Sequence, residues 1–469
     1  MAMNIIHGRN TDVLPQQKTE AGGQDQGSVI LGDQEATGTP SEDGRGVEMT
    51  VVIQDERTNV FLGHFRSPFS TVSAPRVLYN HVEDVERLDL YCKGGYHPIN
   101  IGDRLHDRYR IVHKLGFGSN STIWLARDGQ QSKYVAVKVG TTHSDEKEVE
   151  ILAQLTDPTI RNEDRGKSMI LPVLDHYNVS GPNGIHPCFV TTPARCSLAN
   201  TKEASSSGLF QLDVARSLAA QLVMAVAYIH DKGYIHGDLH LGNILLQLTS
   251  KIDRLSDEQL YEKFVSPDRE LVHRADGKPL ASGVPPHVFS PVWLGEASDK
   301  ISLAEARLVL SDFGVAFYPA KVSRFESYTP LQIRPPEARF DSKIPLSFPS
   351  DIWSLGCTIW EILGMRSLLD SFIWSEDDAT ADQVDILANG QPNDDRVVWS
   401  LDQRFEDSIQ EPRCERGMEM LEVKERDAFC RMVRSMLSFQ PADRPSAREL
   451  LDAPWMKYWA IPAYENVSD

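Results

Sequence analysis

The chain has 469 residues, 41% of them hydrophobic and 25% charged, with a formal net charge of -19 from 67 Asp and Glu against 48 Lys and Arg. That length allows two or three domains with a large core, and the composition excludes a wholly disordered or fibrous protein. The acidic balance argues against a general binder of nucleic-acid phosphates, which needs many cations, and suits a basic partner drawn in by the opposite field.

The six cysteines, Cys92, Cys188, Cys196, Cys357, Cys414 and Cys430, show no C-x-x-C spacing. That argues against a metal clamp or a disulfide framework and for a reduced, intracellular protein. Residues 1–11 are mixed and polar rather than a signal core. No uninterrupted apolar run approaches the roughly 18 residues of a membrane helix. The expectation is a soluble, monomeric protein with no membrane partner, cytoplasmic, with the nucleus also open.

In chain order, residues 1–48 are rich in Gly, Gln, Asp, Glu, Ser and Thr, which predicts a disordered arm. Residues 49–108 form an extension with one β-like run at Met49–Ile53, and firm order is expected from Gly94-Gly95-Tyr96-His97-Pro98. Tyr109–Leu115, Thr122–Arg127 and Tyr134–Val139 are short β-prone runs between Gly-containing turns, the pattern of an antiparallel sheet. Ser144–Gln154 predicts a helix, and Asp213–Asp231 a long one stopped at Lys232-Gly233. Ser350–Leu363, Lys424–Leu437 and Ser446–Leu451 read as further helices. Strands first and helices later give an α+β fold in two segregated lobes, 109–192 and 193–460. A Pro-containing stretch over 247–303 interrupts the succession and reads as an irregular inserted loop.

Four patterns carry chemistry. Leu115-Gly116-Phe117-Gly118-Ser119-Asn120-Ser121 lies between two β-prone runs, and its glycines let backbone N–H groups approach a polyphosphate. Strand, not helix, follows, which disfavours a dinucleotide fingerprint. Lys138 ends the apolar run Val135-Ala136-Val137 and can reach the phosphates that the loop covers. Glu148 is the best-placed carboxylate to hold it, with Glu150 in reserve. Asp238 precedes Asn243 by five positions in Ile235-His236-Gly237-Asp238-Leu239-His240-Leu241-Gly242-Asn243. The acid can orient an attacking hydroxyl, and the amide offers a hard oxygen to Mg²⁺. Finally, Leu308-Val309-Leu310-Ser311 delivers Asp312 to the turn Asp312-Phe313-Gly314, a natural second ligand.

Taken in this order, these motifs resemble the signature set of the eukaryotic protein kinases. Pro335-Pro336-Glu337 stands where that family has Ala-Pro-Glu, Asp351-Ile352-Trp353-Ser354-Leu355-Gly356 is similar to its buried helix start, and Arg444 matches the late Arg that pairs with Glu337. Gly95–Asp103, Ser121–Ala126 and the 247–303 insert resemble the SR-protein kinases, with Trp399 and Arg404–Asp407 most like their short fungal members.

The resemblance implies a serine/threonine kinase domain over 109–460 that uses ATP and Mg²⁺ on protein substrates, Arg/Ser-rich ones within this branch. It implies that Leu115, Gly116, Phe117, Gly118, Ser119, Asn120, Ser121, Ile123, Ala136, Lys138, Glu148, Thr192 and Ala194 surround the nucleotide. Thr191-Thr192-Pro193 would supply the adenine-contacting hinge, in a register the sequence leaves open. Asn243 and Asp312 would hold the metal, and Asp238, Lys138 and His240 would act in catalysis.

Two positions depart from the family pattern. Gly237 replaces the Arg that clasps a phosphorylated activation loop, which speaks against activation by that route. His240 replaces a Lys, so an imidazole stands where a fixed charge is usual. Two rival readings follow: a small-molecule phosphotransferase of the aminoglycoside or choline kinase type, suggested by His-Gly-Asp-Leu-His-x-Gly-Asn, and a pseudokinase binding module, suggested by His240 alone. His236 is expected to be a buried backbone anchor, not a metal ligand. The acidic run Glu376-Asp377-Asp378, with Asp382 and Asp385, is either a solvated face or a dock for an Arg-rich peptide.

Overall fold

The computed structural model describes the backbone of four strands between residues 28 and 65, and residues 79–159, 164–340, 344–369, 383 and 399–466. The run 376–385 therefore falls outside the described residues, apart from Gln383. The chain forms two compact units. Ala2–Asn80 and Arg274–Lys278 belong to one, His81–His273 and Pro279–Asp469 to the other.

The smaller unit holds strands β1 (Ser28–Leu31), β2 (Gln34–Pro40), β3 (Val47–Asp55) and β4 (Thr58–Phe65), an antiparallel sheet in sequence order. This differs from the disordered arm that composition predicts over 1–48. A hairpin ladder pairs backbone groups among themselves, and the average composition hides the β-branched Val29, Ile30, Thr37 and Thr39.

In the larger unit, six strands line up in the order β5-β6-β7-β8-β10-β9. They are β5 (Arg104–Leu105), β6 (Tyr109–Gly118), β7 (Ser121–Asp128), β8 (Lys133–Gly140), β9 (Val173–Gly181) and β10 (Gly184–Thr191). Alternation along β7 and β8 buries Trp124, Val135, Val137 and Val139 with Ile111 and Val190 on one face, leaving the opposite face for chemistry. Helix α1 (Lys147–Thr156) follows β8, and the short helices α2 (Leu198–Glu203) and α5 (Glu337–Phe340) lie further along the chain.

The helical lobe is organised around α3 (Leu212–Asp231), which is long and apolar enough to cross a membrane but mostly buried inside the protein. It packs with α6 (Phe348–Leu363), Val423–Met436 and Ile461–Glu465 in one large apolar cluster. Ile151, Leu152 and Leu155 of α1 enter that same cluster, and the Tyr228 hydroxyl of α3 donates to the Leu155 carbonyl. The helix of the small lobe is thereby tied to the core of the large one.

The insert is more ordered than its prolines suggest. It contains α4 (Asp257–Phe264), opened by a Ser256–Gln259 capping box, and the paired strands β13 (Arg269–Leu271) and β14 (His287–Phe289). Ile252 and Leu260 pack against Val112, Leu125 and Tyr134 of the small-lobe sheet. Arg110 pairs with Asp257 at 2.6 Å, and Asp253 accepts from the Tyr134 amide. A few apolar side chains at helical spacing suffice here, because the sheet supplies the surface that buries them.

Candidate active site

Strand register builds one wall. Gly116 of β6 opposes Ile123 of β7, Ile123 opposes Lys138 of β8, and Lys138 opposes Phe189 of β10. Directly opposed residues project to the same face of a sheet, so these four form a row. Ala136, two positions before Lys138, shares the face and opposes Thr191. A Cβ added to Gly116 or Gly118 would meet nothing within 4 Å, so a ligand can approach the loop backbone closely. Leu115 packs against the cluster that holds the insert, Phe117 is half-buried, and Ser119 and Asn120 are exposed at the hairpin tip. Thr192 is exposed just past β10, and Ala194 begins β11 (Ala194–Ser197), paired with Gln247 of β12 (Ile244–Gln247).

Lys138 Nζ lies 2.7 Å from Glu148 Oε2 and 3.6 Å from Asp312 Oδ1. Helical phase explains the choice of glutamate: Glu148 is buried on the inward side of α1, while Glu150 is exposed. Burial works against the Lys138 ammonium, but Glu148 and Asp312 outweigh it and hold its pKa above the ordinary lysine value. Burial likewise works against the Asp312 carboxylate, but Lys138, together with His236, the Gly314 amide and His240, outweighs it and holds that pKa below the usual range. Asp312 follows β15 (Leu308–Leu310) with φ at 59°, a left-handed conformation that Asp tolerates better than most residues.

The second group sits on the loop before β12. Asn243 Nδ2 donates to the Asp238 carbonyl at 2.9 Å and to Asp238 Oδ2 at 3.2 Å, which leaves the amide oxygen as its ligand end. Asp238 Oδ1 is buried and, among the described residues, has no hydrogen-bond partner. His240 Nδ1 accepts from Gly242 N, so Nε2 carries the proton. It lies 3.6 Å from Asp238 Oδ2, beyond hydrogen-bond reach. The two groups are joined through Ser311, whose amide and hydroxyl both donate to the Asn243 carbonyl at 2.9 Å.

The loop is fixed from below. Asp351, buried at the start of α6, accepts from His236 N at 2.7 Å, Gly237 N at 2.9 Å and the His230 ring at 3.0 Å. Fully buried His236 bonds the Ser311 carbonyl at 3.0 Å and stacks edge-on against Phe313, which makes it the expected backbone anchor. Gly237 has φ at 77°, open to glycine without strain. Nearby, the Arg324 guanidinium donates to the Val315 carbonyl and covers the Phe317 ring at 4.7 Å. Arg324 thus secures the segment after Asp312 from the segment's own side.

Among the described residues, no three His, Cys, Asp or Glu side chains form a metal cage. The two oxygen donors Asn243 and half-exposed Asp312 suit Mg²⁺, which keeps waters and takes substrate phosphates rather than an all-protein shell. Phe189, Ser311, His230 and Arg324 were not anticipated. Only Phe189 had a usable signal, an aromatic on the apolar run that leads into the hinge.

The family model for the protein kinase domain matches residues 109–269 and 301–456. The chain belongs to the protein kinase family. The gap in the match falls within the insert. A serine/threonine protein kinase of Aspergillus fumigatus is 26% identical over 389 residues, covering 79% of this chain and 90% of the relative. Human SRSF protein kinase 3 is 33% identical over 205 residues, 41% of this chain and 35% of its own length. A crystallised kinase domain superposes with a TM-score of 0.50 at 19% identity, covering 77% of this chain and 98% of the other, a likeness of fold. This kinase is a serine/threonine protein kinase of the two-lobed α+β type, similar to the fungal SR-protein-kinase branch.

Proposed function

We propose that this kinase transfers the γ-phosphoryl group of ATP, with Mg²⁺, to serines in Arg/Ser-rich proteins. The observation that carries the reading is Asp238 Oδ1, a buried acceptor with no partner among the described residues, beside an oxygen bonded to Asn243. A buried acceptor left open costs stability, and a substrate hydroxyl is the group that would satisfy it.

The serine Oγ forms a bond to the γ-phosphorus as the bond from that phosphorus to the β,γ-bridging oxygen breaks, and the hydroxyl proton passes to Asp238. Lys138, fixed by Glu148, directs the phosphates, and the row from Gly116 to Ala136 encloses the nucleotide. Asn243 and Asp312 would hold the metal, which supplies neutralisation of the charge that develops on the phosphoryl oxygens. His240 Nε2–H would donate to a transferring oxygen. Most of the acceleration in such chemistry comes from positioning. The preference for a basic peptide is supported by the net charge of -19 and by similarity to a kinase whose name specifies SRSF proteins.

Asp238→Asn tests the roles. ATP affinity should stay within about twofold while phosphate transfer falls by roughly 10²–10⁴, and undiminished transfer would remove Asp238 from its place. Labelled ATP offered with an Arg-Ser repeat peptide, a scrambled acidic peptide and an aminoglycoside tests the substrate class. Label on the first alone is expected. Label on the drug alone would favour the small-molecule rival, and no label on any would favour the binding module.

A further inference from the structure

The glycine hairpin is held by chain that precedes the kinase domain. Tyr96, almost wholly buried, places its hydroxyl 2.7 Å from the Gly118 carbonyl and 3.2 Å from that of Ser119. Its ring packs on Tyr91, 5.5 Å between centroids, and the Tyr91 hydroxyl donates to buried Glu86. Glu86 also pairs with Lys114, a fully buried lysine of β6 whose ammonium lies 5.0 Å from the centre of the Phe117 ring. Behind Tyr96, the Asn183 side chain donates to its carbonyl at 2.7 Å and to that of Gly283 at 2.9 Å. On the other flank, the Asn120 carbonyl accepts from Thr141 N at 2.8 Å and Ser144 Oγ at 3.0 Å.

Three successive carbonyls at the hairpin tip therefore face donors from outside it, those of Gly118 and Ser119 sharing the single Tyr96 hydroxyl proton. Across a trans peptide the carbonyl of one residue and the N–H of the next point in opposite directions. Holding the Gly118 and Ser119 carbonyls toward the extension turns the N–H groups of Ser119 and Asn120 the other way. Those are donors with which such a hairpin meets a phosphate. We infer that Tyr96 is a positioning residue for this reaction: its hydroxyl fixes the orientation of the loop amides and so sets affinity for the nucleotide's phosphates. The inference rests on the reading of Gly116–Ser121 as the nucleotide-covering loop. Burial pushes the Tyr96 hydroxyl up to about 12, so it remains a proton donor throughout the working range.

Tyr96→Phe deletes the donor and keeps the ring in its packing. ATP and ADP should bind about 5- to 10-fold more weakly, the scale of one lost hydrogen bond in a partly buried site. Adenosine, which has no phosphates, should bind within twofold of the wild type, and the KM for a peptide substrate should not move. A purely structural role would instead lower the melting temperature and weaken ATP and adenosine alike, which overturns the inference. Unchanged ATP affinity in the variant, with a wild type that binds ATP normally, overturns it alone. A wild type that binds no ATP overturns the kinase reading and this inference together.

Discussion

Arg444 and Lys138 each meet a glutamate on a helix, and the surroundings of the two pairs differ sharply. Arg444 grips Glu337 through two bonds of 2.9 and 2.7 Å and spends two further donors on the Ser438 and Pro349 carbonyls, while Ser350 caps the same carboxylate. Its side chain is 0% exposed. Lys138 makes one close bond, to Glu148, and is 22% exposed, with Asp312 standing off at 3.6 Å. The first pair is buried, with four of the five guanidinium N–H groups engaged, and it holds the large lobe together. The second keeps donor capacity in reserve on the side proposed for the nucleotide. Saturation separates an ion pair that builds the fold from one that serves a ligand.

Breaking either pair should expose that contrast. Arg444→Met leaves a buried carboxylate without its partner and should cost about 3–5 kcal/mol of stability, read by urea denaturation. A loss below about 1 kcal/mol would show that the pair is not a keystone. Lys138→Met should reduce kcat/KM by roughly 10²–10³, or about 2.7–4 kcal/mol of transition-state stabilisation. Its effect on unfolding should stay within about 1 kcal/mol, as for a partly exposed pair. Equal damage to stability from both substitutions would erase the distinction.

Gly237→Ala should have a smaller effect, about 1–2 kcal/mol of destabilisation. A side chain at φ 77° is strained, and its Cβ would come 3.3 Å from the Val315 carbonyl. A variant as stable as the wild type would mean that the loop above Asp351 is not set by the glycine.

Mild acid should give the smallest change. His97 and His186 face each other with ring centroids 4.9 Å apart. Burial drives the His97 pKa down to about 4 and lowers that of His186. Between about 4 and the ordinary 6.5 the unfolded chain then binds more protons than the folded one, so stability is full above 6.5 and falls as pH drops toward 4. Melting should move down by a few degrees from pH 7.5 to 6, and His97→Gln should flatten the dependence. A melting temperature that rises on acidification would contradict this.

Candidate site residues set by fixed spacing were legible in the sequence. Gly116 and Lys138 lie near the ends of their strands and Asp238, Asn243 and Asp312 beside strands or turns, and Glu337 with Arg444 was readable as a pair because both belong to recognisable motifs. Contacts made at long range between ordinary residues were not. Lys114 reads as a solvated strand residue until Glu86, 28 positions upstream, is seen against it. The extension was expected to become ordered near Gly94, yet Glu86 and Tyr91 are already buried, because the partners that order them lie in the sheet. Likewise the insert carries too few apolar residues to look structured alone, and α4 finds its packing surface on strands more than 100 residues earlier in the chain. Arg324 could not be assigned, since nothing local marks the guanidinium that holds the Val315 carbonyl.

One tether bears on how this enzyme can be controlled. With Leu152 and Leu155 sunk in the large-lobe core and the Leu155 carbonyl capped by Tyr228, rotating α1 outward would uncover two leucines at about 1.5–3 kcal/mol each. A conformer that uncommon offers little purchase to drugs that wedge behind a displaced helix. Compounds shaped for the helix-in arrangement are the rational starting point, and throttling by a partner would have to act at the mouth of the cleft or on the amount of enzyme, not through that hinge.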